Sequence, residues 1–396
     1  MSKKSQIPNL KSKIPAILGG EPAFDKPVPI TEPTIPPIHQ LKSMYEKVLK
    51  SRMITNSKFV QEFEARVAEH LGVKHAIAVN SCTSGLMLIM KALDLKGEVI
   101  LPSFTFHATA HAVVWNGLKP VFVDCDPETY NIDPKEVEKA ITPRTCAILG
   151  VHIFGNPADV EALEKIAKKH KLKLIFDAAH GFGSKYKGKH VGGFGDAESF
   201  SLSPTKLLTA GEGGIVTTND DEIARRVRIG RNYGDPGTYD CEFSGFSARM
   251  SEFQAILGIE SLKMLESNVL RRNKMANLYK TLLAKIPGIS FQKIKAGNRS
   301  SYKDFSILID ERKFGISRDK LYEALMAENI VVKKYFYPPV HKQRAFEKYA
   351  SQHDANLHIT ERISTGSISL PLFSHISEMV VEKICSVVVL IYKRWR

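Results

Sequence analysis

Leu172-Lys173-Leu174-Ile175-Phe176-Asp177-Ala178-Ala179-His180 is the stretch on which the fold class turns. It reads as a short apolar strand that delivers a carboxylate at its C-terminal end, the place where open α/β sheets hold their ligands. Upstream, Ala76-Ile77-Ala78-Val79, Val99-Ile100-Leu101, Val121-Phe122-Val123 and Cys146-Ala147-Ile148-Leu149-Gly150-Val151 repeat the short apolar run. Helical periodicity fills the intervals, with Leu86, Ile89, Met90 and Leu93 on one face, then residues 108–116 and 160–170. Downstream, Gly213-Gly214-Ile215-Val216-Thr217-Thr218 is a further strand after a tight turn. Strand and helix alternate in βαβ rhythm, so an α/β class with a large, mostly parallel sheet covered on both faces is predicted.

The 396 residues, 43% hydrophobic and 25% charged, suit a soluble two-domain enzyme. Residues 1–40 carry Pro27, Pro29, Pro33, Pro36 and Pro37 and are expected to run extended. A large domain is expected over 41–265. Helical periodicity from Ser251 continues past Leu265 towards Leu283 until Pro287-Gly288, and the remainder, 266–396, is expected to form a smaller α+β domain. The net charge of +14, 56 basic against 42 acidic residues, raises nucleic acid as a partner. The basic residues are dispersed and do not alternate with aromatics, so no nucleic-acid role is expected. Five scattered cysteines, Cys82, Cys125, Cys146, Cys241 and Cys385, form no CxxC pair and fit a reducing cytoplasm. No apolar run is long enough for a signal peptide, and Val387-Val388-Val389-Leu390-Ile391-Tyr392 falls far short of the ~20 residues that span a bilayer. It is expected to be a buried helix, with no membrane partner.

The chemistry centres on Ser199-Phe200-Ser201-Leu202-Ser203-Pro204-Thr205-Lys206-Leu207-Leu208-Thr209-Ala210-Gly211-Glu212-Gly213-Gly214, which isolates one lysine among small and hydroxyl residues. A desolvated amine beside a cofactor can lose its proton and form a Schiff base, whereas most lysines are solvated ammonium ions. Lys206 with Asp177 suggests pyridoxal phosphate, the lysine on its aldehyde and the carboxylate on its pyridinium nitrogen. Asn80-Ser81-Cys82-Thr83-Ser84-Gly85 joins a strand to a helix N-terminus, an anion site where the Cys82 and Thr83 amides are candidate phosphate donors. An ordinary N-cap by Thr83 or Ser84 explains the same residues. Phe106 is either a ring that stacks on the cofactor or a core aromatic. His180 either reaches the cofactor's ring oxygen or is a satisfied core histidine. The glycine clusters at 181–183 and 192–195 do not make a dinucleotide fingerprint, and the thirteen histidines lack metal-ligand spacing, so no metal is expected.

With these motifs in place, the chain resembles the DegT/StrS sugar-nucleotide aminotransferases, fold-type I pyridoxal phosphate enzymes. The likeness runs from Gly19-Gly20-Glu21-Pro22-Ala23-Phe24 through Asp177-Ala178-Ala179-His180 and Pro204-Thr205-Lys206 to Leu370-Pro371-Leu372. The resemblance implies that Lys206 is the Schiff-base lysine, Asp177 the pyridinium partner and Ser201 a phosphate ligand. It places Phe106 on the ring, Cys82-Thr83 at the phosphate, and His180 where many members carry glutamine. Asn232, in Arg231-Asn232-Tyr233-Gly234, matches an asparagine that reaches the phosphate across the subunit boundary, which implies a homodimer with shared active sites. Ser247 replaces the more usual asparagine as a cofactor contact, and Tyr337 and His341 lie where the small domain approaches the substrate.

The implied reaction moves an amino group from L-glutamate to a keto-sugar nucleotide, with a dTDP- or UDP-linked 4-keto-6-deoxyhexose favoured and a 3-keto sugar the alternative. The product would be an amino sugar for surface polysaccharide or glycoside synthesis. A branch that removes the C3 hydroxyl has histidine in place of the lysine, which Lys206 argues against. A regulatory or binding protein on the same fold would not need Lys206, Asp177 and Ser201 together.

Overall fold

A computed structural model describes residues 10–349 and 357–395 of the chain. Its central sheet is built from β1 (His75–Val79), β2 (Glu98–Pro102), β3 (Lys119–Val123), β4 (Thr145–Val151) and β5 (Lys173–Asp177). After a short hairpin of β6 (Lys185–Tyr186) and β7 (Lys189–His190), the chain adds β8 (Ala197–Ser201) and β9 (Gly214–Thr218). The order across the sheet is β1-β9-β8-β5-β4-β2-β3. β9 runs antiparallel to both its neighbours and every other pairing is parallel, so the mostly parallel sheet expected from the strand–helix rhythm is present.

Alternation along β5 assigns its residues to two covered faces. Ile175 packs with Ile77, Val99 and Leu101 under helices Cys82–Ala92, Ala108–Trp115 and Asp221–Gly230. Leu174 and Phe176 pack on the opposite face with Ile100, Val121 and Ile148 against helices Pro134–Ala140 and Val160–His170. Full burial of each such side chain contributes roughly 1.5–3 kcal/mol, which is why strands this short hold their register.

Helix Glu252–Leu283 opens with a capping box between Ser251 and Gln254 and continues for 32 residues. Its first half, Ala255 to Val269, packs on the sheet with helix Lys58–Leu71. Its second half, Met275 to Leu283, joins a different core. The expected division at residues 265 and 266 therefore falls inside a continuous helix. The second core is built on an antiparallel sheet of β10 (Ile289–Phe291), β11 (Phe305–Ile309) and β12 (Ser367–Leu370). Helix Glu378–Arg394 seals it with Val381, Ile384, Val387, Val388 and Ile391, so the membrane-like run is an internal face. No helix among the described residues is long and apolar enough to cross a membrane.

Two long-range ties position the site. The amides of Ala16, in a 3-10 turn over Ala16–Leu18, and Ala23 donate to the Glu328 carboxylate, each at 2.7 Å, and fasten the N-terminal segment to the small domain. The extended course expected over 1–40 is interrupted by that turn and ends at helix Ile38–Ser51, and residues 1–9 lie outside the described residues. Asp124, just beyond β3, accepts the Ile359 and Thr360 amides at 2.9 and 2.6 Å and the Thr360 hydroxyl at 2.7 Å. That carboxylate caps helix His358–Gly366, which lacks a side-chain cap of its own at Leu357. In turn the Ser364 hydroxyl donates to the Phe336 carbonyl, bringing residues 335–336 back over the C-terminal ends of the strands.

Candidate active site

The C-terminal ends of β4, β5 and β8 and the N-terminus of helix Cys82–Ala92 surround a cavity of about 390 Å³. Asp177 closes β5 at its floor, buried and held on both oxygens. The Thr109 hydroxyl donates to Oδ2 at 2.8 Å and the Ala179 amide to Oδ1 at 3.0 Å. The Thr105 hydroxyl lies 2.9 Å from that of Thr109 and extends the chain. Burial pushes the Asp177 carboxyl above its usual value, against the opposing effect of these donors. A cationic ring nitrogen at this point would keep the carboxylate ionised.

Lys206 lines the same cavity, on the loop between β8 and β9 that its amide begins by bonding the Ser203 carbonyl at 3.0 Å. Burial, with the Lys303 ammonium nearby, pulls its amine down to about 8. Half-buried Ser201 closes β8 on the cavity wall. Ser81 caps the facing helix through Ser84, and the first backbone bond of that helix runs from the Gly85 amide to the Ser81 carbonyl at 3.0 Å. The first-turn amides of Cys82 and Thr83 therefore have no intrahelical partner and are available to an anion. Gly214 is required here, because a Cβ on it would lie 2.5 Å from the Ser81 carbonyl carbon and 2.6 Å from the Cys82 nitrogen.

His180 is a neutral imidazole: burial and the nearby Lys206 and Lys303 charges hold its pKa well below normal. Its Nδ1 accepts the Phe154 amide at 3.2 Å, which leaves the remaining proton on Nε2 as a donor. Phe106 lines the cavity while 50% exposed, so it is not the core aromatic of its loop; fully buried Phe104 is. Carboxylate floor, free amine, helix amides with Ser201, and an uncovered aromatic face together fit pyridoxal phosphate in both size and donor set.

The other expected residues are placed elsewhere. Asn232 and Ser247 pair with each other in an isolated bridge and do not line this cavity. Tyr337 lies in an adjoining groove, shared through Thr105, Phe106, Tyr335 and Phe336, with the Arg318 guanidinium 5.0 Å from its ring centre. His341 lines neither space. It is buried, its Nδ1 2.6 Å from the Ser103 hydroxyl and its Nε2 3.4 Å from Glu361, so it ties the returning segment to the end of β2.

Three features escaped the sequence reading. Cys82, expected to act through its amide, also directs its thiol at the Ser199 carbonyl, 3.3 Å, and at Asp177, 3.7 Å. Thr109 holds Asp177 from 68 positions away. Lys303 and Asp304 place a buried ion pair in the cavity wall.

Residues 38–389 match the DegT/DnrJ/EryC1/StrS aminotransferase family, and the chain belongs to that family. It is a pyridoxal-phosphate-dependent aminotransferase. A dTDP-4-amino-4,6-dideoxy-D-glucose transaminase of Escherichia coli is 37% identical over 362 residues, spanning 91% of this chain and 97% of that protein. A UDP-N-acetyl-3-dehydro-alpha-D-glucosamine 3-aminotransferase of Acidithiobacillus ferrooxidans is 37% identical over 329 residues, 82% of this chain and 86% of that one. Among solved structures, DesI in the presence of its TDP-sugar product is similar at a TM-score of 0.90 and 38% identity, covering 96% of each chain.

Proposed function

We propose that this aminotransferase carries the amino group of L-glutamate to C4 of a dTDP- or UDP-linked 4-keto-6-deoxyhexose. The observation that carries the reading is a single cavity in which the lowered-pKa amine of Lys206 faces a buried carboxylate held by two donors. The similarity to the E. coli transaminase, whose name specifies a 4-amino-4,6-dideoxy sugar, favours C4. The Acidithiobacillus relative, named for 3-amination, keeps a 3-keto sugar as the second reading.

Bound pyridoxal phosphate supplies an electron sink for the carbon that loses its proton. Lys206, the amine with the lowered pKa in this cavity, would hold the cofactor by its aldehyde carbon and would serve as the general acid and base that moves the proton at the reacting carbon. Asp177 keeps a proton on the ring nitrogen. Nε2–H of His180 would be the donor for the ring oxygen, Phe106 the aromatic cover, and Ser201 with the Cys82 and Thr83 amides would hold the phosphate. Asn232 and Ser247, outside their own chain's cavity, complete the site of a second copy in a homodimer. The exposed Met53, Ile54 and Tyr233 side chains, each more than half exposed, support such an apolar contact.

Incubation with L-glutamate and dTDP-4-keto-6-deoxyglucose, with the product identified by mass and NMR, tests the assignment. A 4-amino-4,6-dideoxy product is expected. Turnover of a 3-keto sugar nucleotide with none of the 4-keto compound would replace it with the second reading.

A further inference from the structure

Lys303 and Asp304 are consecutive residues in a bend just before β11, a conformation that lets two neighbouring side chains share one cavity instead of opposite faces of a strand. Both are buried, 5% and 6% exposed. The ammonium of Lys303 lies 2.9 and 3.1 Å from the two Asp304 oxygens and 5.5 Å from the centre of the Tyr335 ring. Their backbone is fixed, since the Lys303 amide donates to Phe154 at 3.1 Å and its carbonyl accepts from fully buried Arg272 at 2.9 Å. A buried ion pair gives little net stability over an apolar pair of the same volume, so a pair facing a reaction cavity calls for a role there.

The reaction poses a recognition problem that this pair can solve. One cavity must accept an α-amino acid, whose carboxylate is attached to the reacting carbon, and then a hexose, which presents hydroxyls beside the reacting carbon. Among the described lining residues the cations are Lys206, which is engaged in the chemistry, and Lys303; His180 is neutral, and Asp177, Asp304 and Glu212 are the carboxylates. A permanently unpaired cation would serve the first substrate and be stranded beside the second. An ion pair that opens and closes serves both.

We infer that Lys303 binds the α-carboxylate of the amino donor, and that it returns to Asp304 when the keto sugar takes the donor's place, leaving Asp304 to accept a sugar hydroxyl. This inference rests on the aminotransferase reading above and extends it to which residues tell the two substrates apart. The Lys303 charge lowers the proton affinity of both Lys206 and His180, with Asp304 opposing it at Lys206, and all four side chains line the one cavity.

The test separates the half-reactions in the cofactor-loaded enzyme and adds a binding measurement that needs no turnover. α-Methyl-L-glutamate, which has no Cα hydrogen to lose, is titrated calorimetrically into wild type, Lys303→Met and Lys303→Arg. The Met variant is expected to bind it about tenfold to a hundredfold more weakly, the range for losing one charge-assisted contact, with Arg restoring most of the affinity. Asp304→Asn is expected to show the opposite pattern: donor binding retained, and amino transfer from the pyridoxamine-phosphate form to the sugar slowed. A purely structural pair would weaken both halves in both variants, which would overturn the inference. So would a Met variant that binds the analogue as tightly as a wild type that bleaches with L-glutamate. A wild type that does not bleach contradicts the functional reading itself.

Discussion

An amine can add to an aldehyde only when it is neutral, and at Lys206 the neutral form is reached by burial and by the Lys303 charge, which bring its pKa to about 8. Below that pH the amine is protonated and above it free. Cofactor capture by the cofactor-free protein, followed by absorbance, should therefore accelerate with pH and level off above about 8; a rate still climbing towards pH 10 would mean an ordinary solvated lysine. Lys206 and Asp177 were legible in the sequence because each stands alone in its chemical surroundings, one among hydroxyls and the other at the end of an apolar run. Lys303 and Asp304 were not, because adjacent opposite charges read as a solvated pair until β11 and the Phe154 carbonyl fix them inside. His341 illustrates the converse: the family resemblance implied a place beside the substrate, and a hydrogen bond with Ser103, 238 positions away, holds it in the interior.

At the scale of elements, the cavity's outer wall depends on a cap supplied from a distance. Asp124 takes the place of a local N-cap for helix His358–Gly366, and that helix carries the Ser364 hydroxyl that holds Phe336. Asp124→Ala should destabilise the protein by about 2–3 kcal/mol, the scale of a cap with charge-assisted donors, measured by denaturant unfolding. It should also raise the KM for the sugar nucleotide, because Phe336 lines the site. Unchanged stability would mean that the helix is held by packing alone. No local signal announces this cap: Leu357, at the N-cap position, makes no side-chain cap, and the carboxylate that supplies one lies more than 230 positions upstream.

For the whole molecule, the strand–helix rhythm made the large sheet legible, since parallel strands buried on both faces read as short apolar runs. The division into two cores was less so, because helix Glu252–Leu283 changes its packing partners between Val269 and Met275 without any break in periodicity. A homodimer with shared sites makes a quantitative prediction. Mixing inactive Lys206→Ala with inactive Asn232→Ala chains should restore about a quarter of wild-type activity, as half the random pairs are mixed and each mixed pair holds one intact site. No recovery would place Asn232 in the service of its own chain. The most direct measurement of the central claim is the visible spectrum of the cofactor-loaded protein before and after L-glutamate, with Lys206→Ala alongside. The yellow band of lysine-bound cofactor should be present in the wild type, bleach on addition of glutamate, and be missing in the variant. A protein that stays colourless after incubation with pyridoxal phosphate, or a variant as yellow as the wild type, would contradict the assignment of Lys206 as the residue on which the chemistry turns.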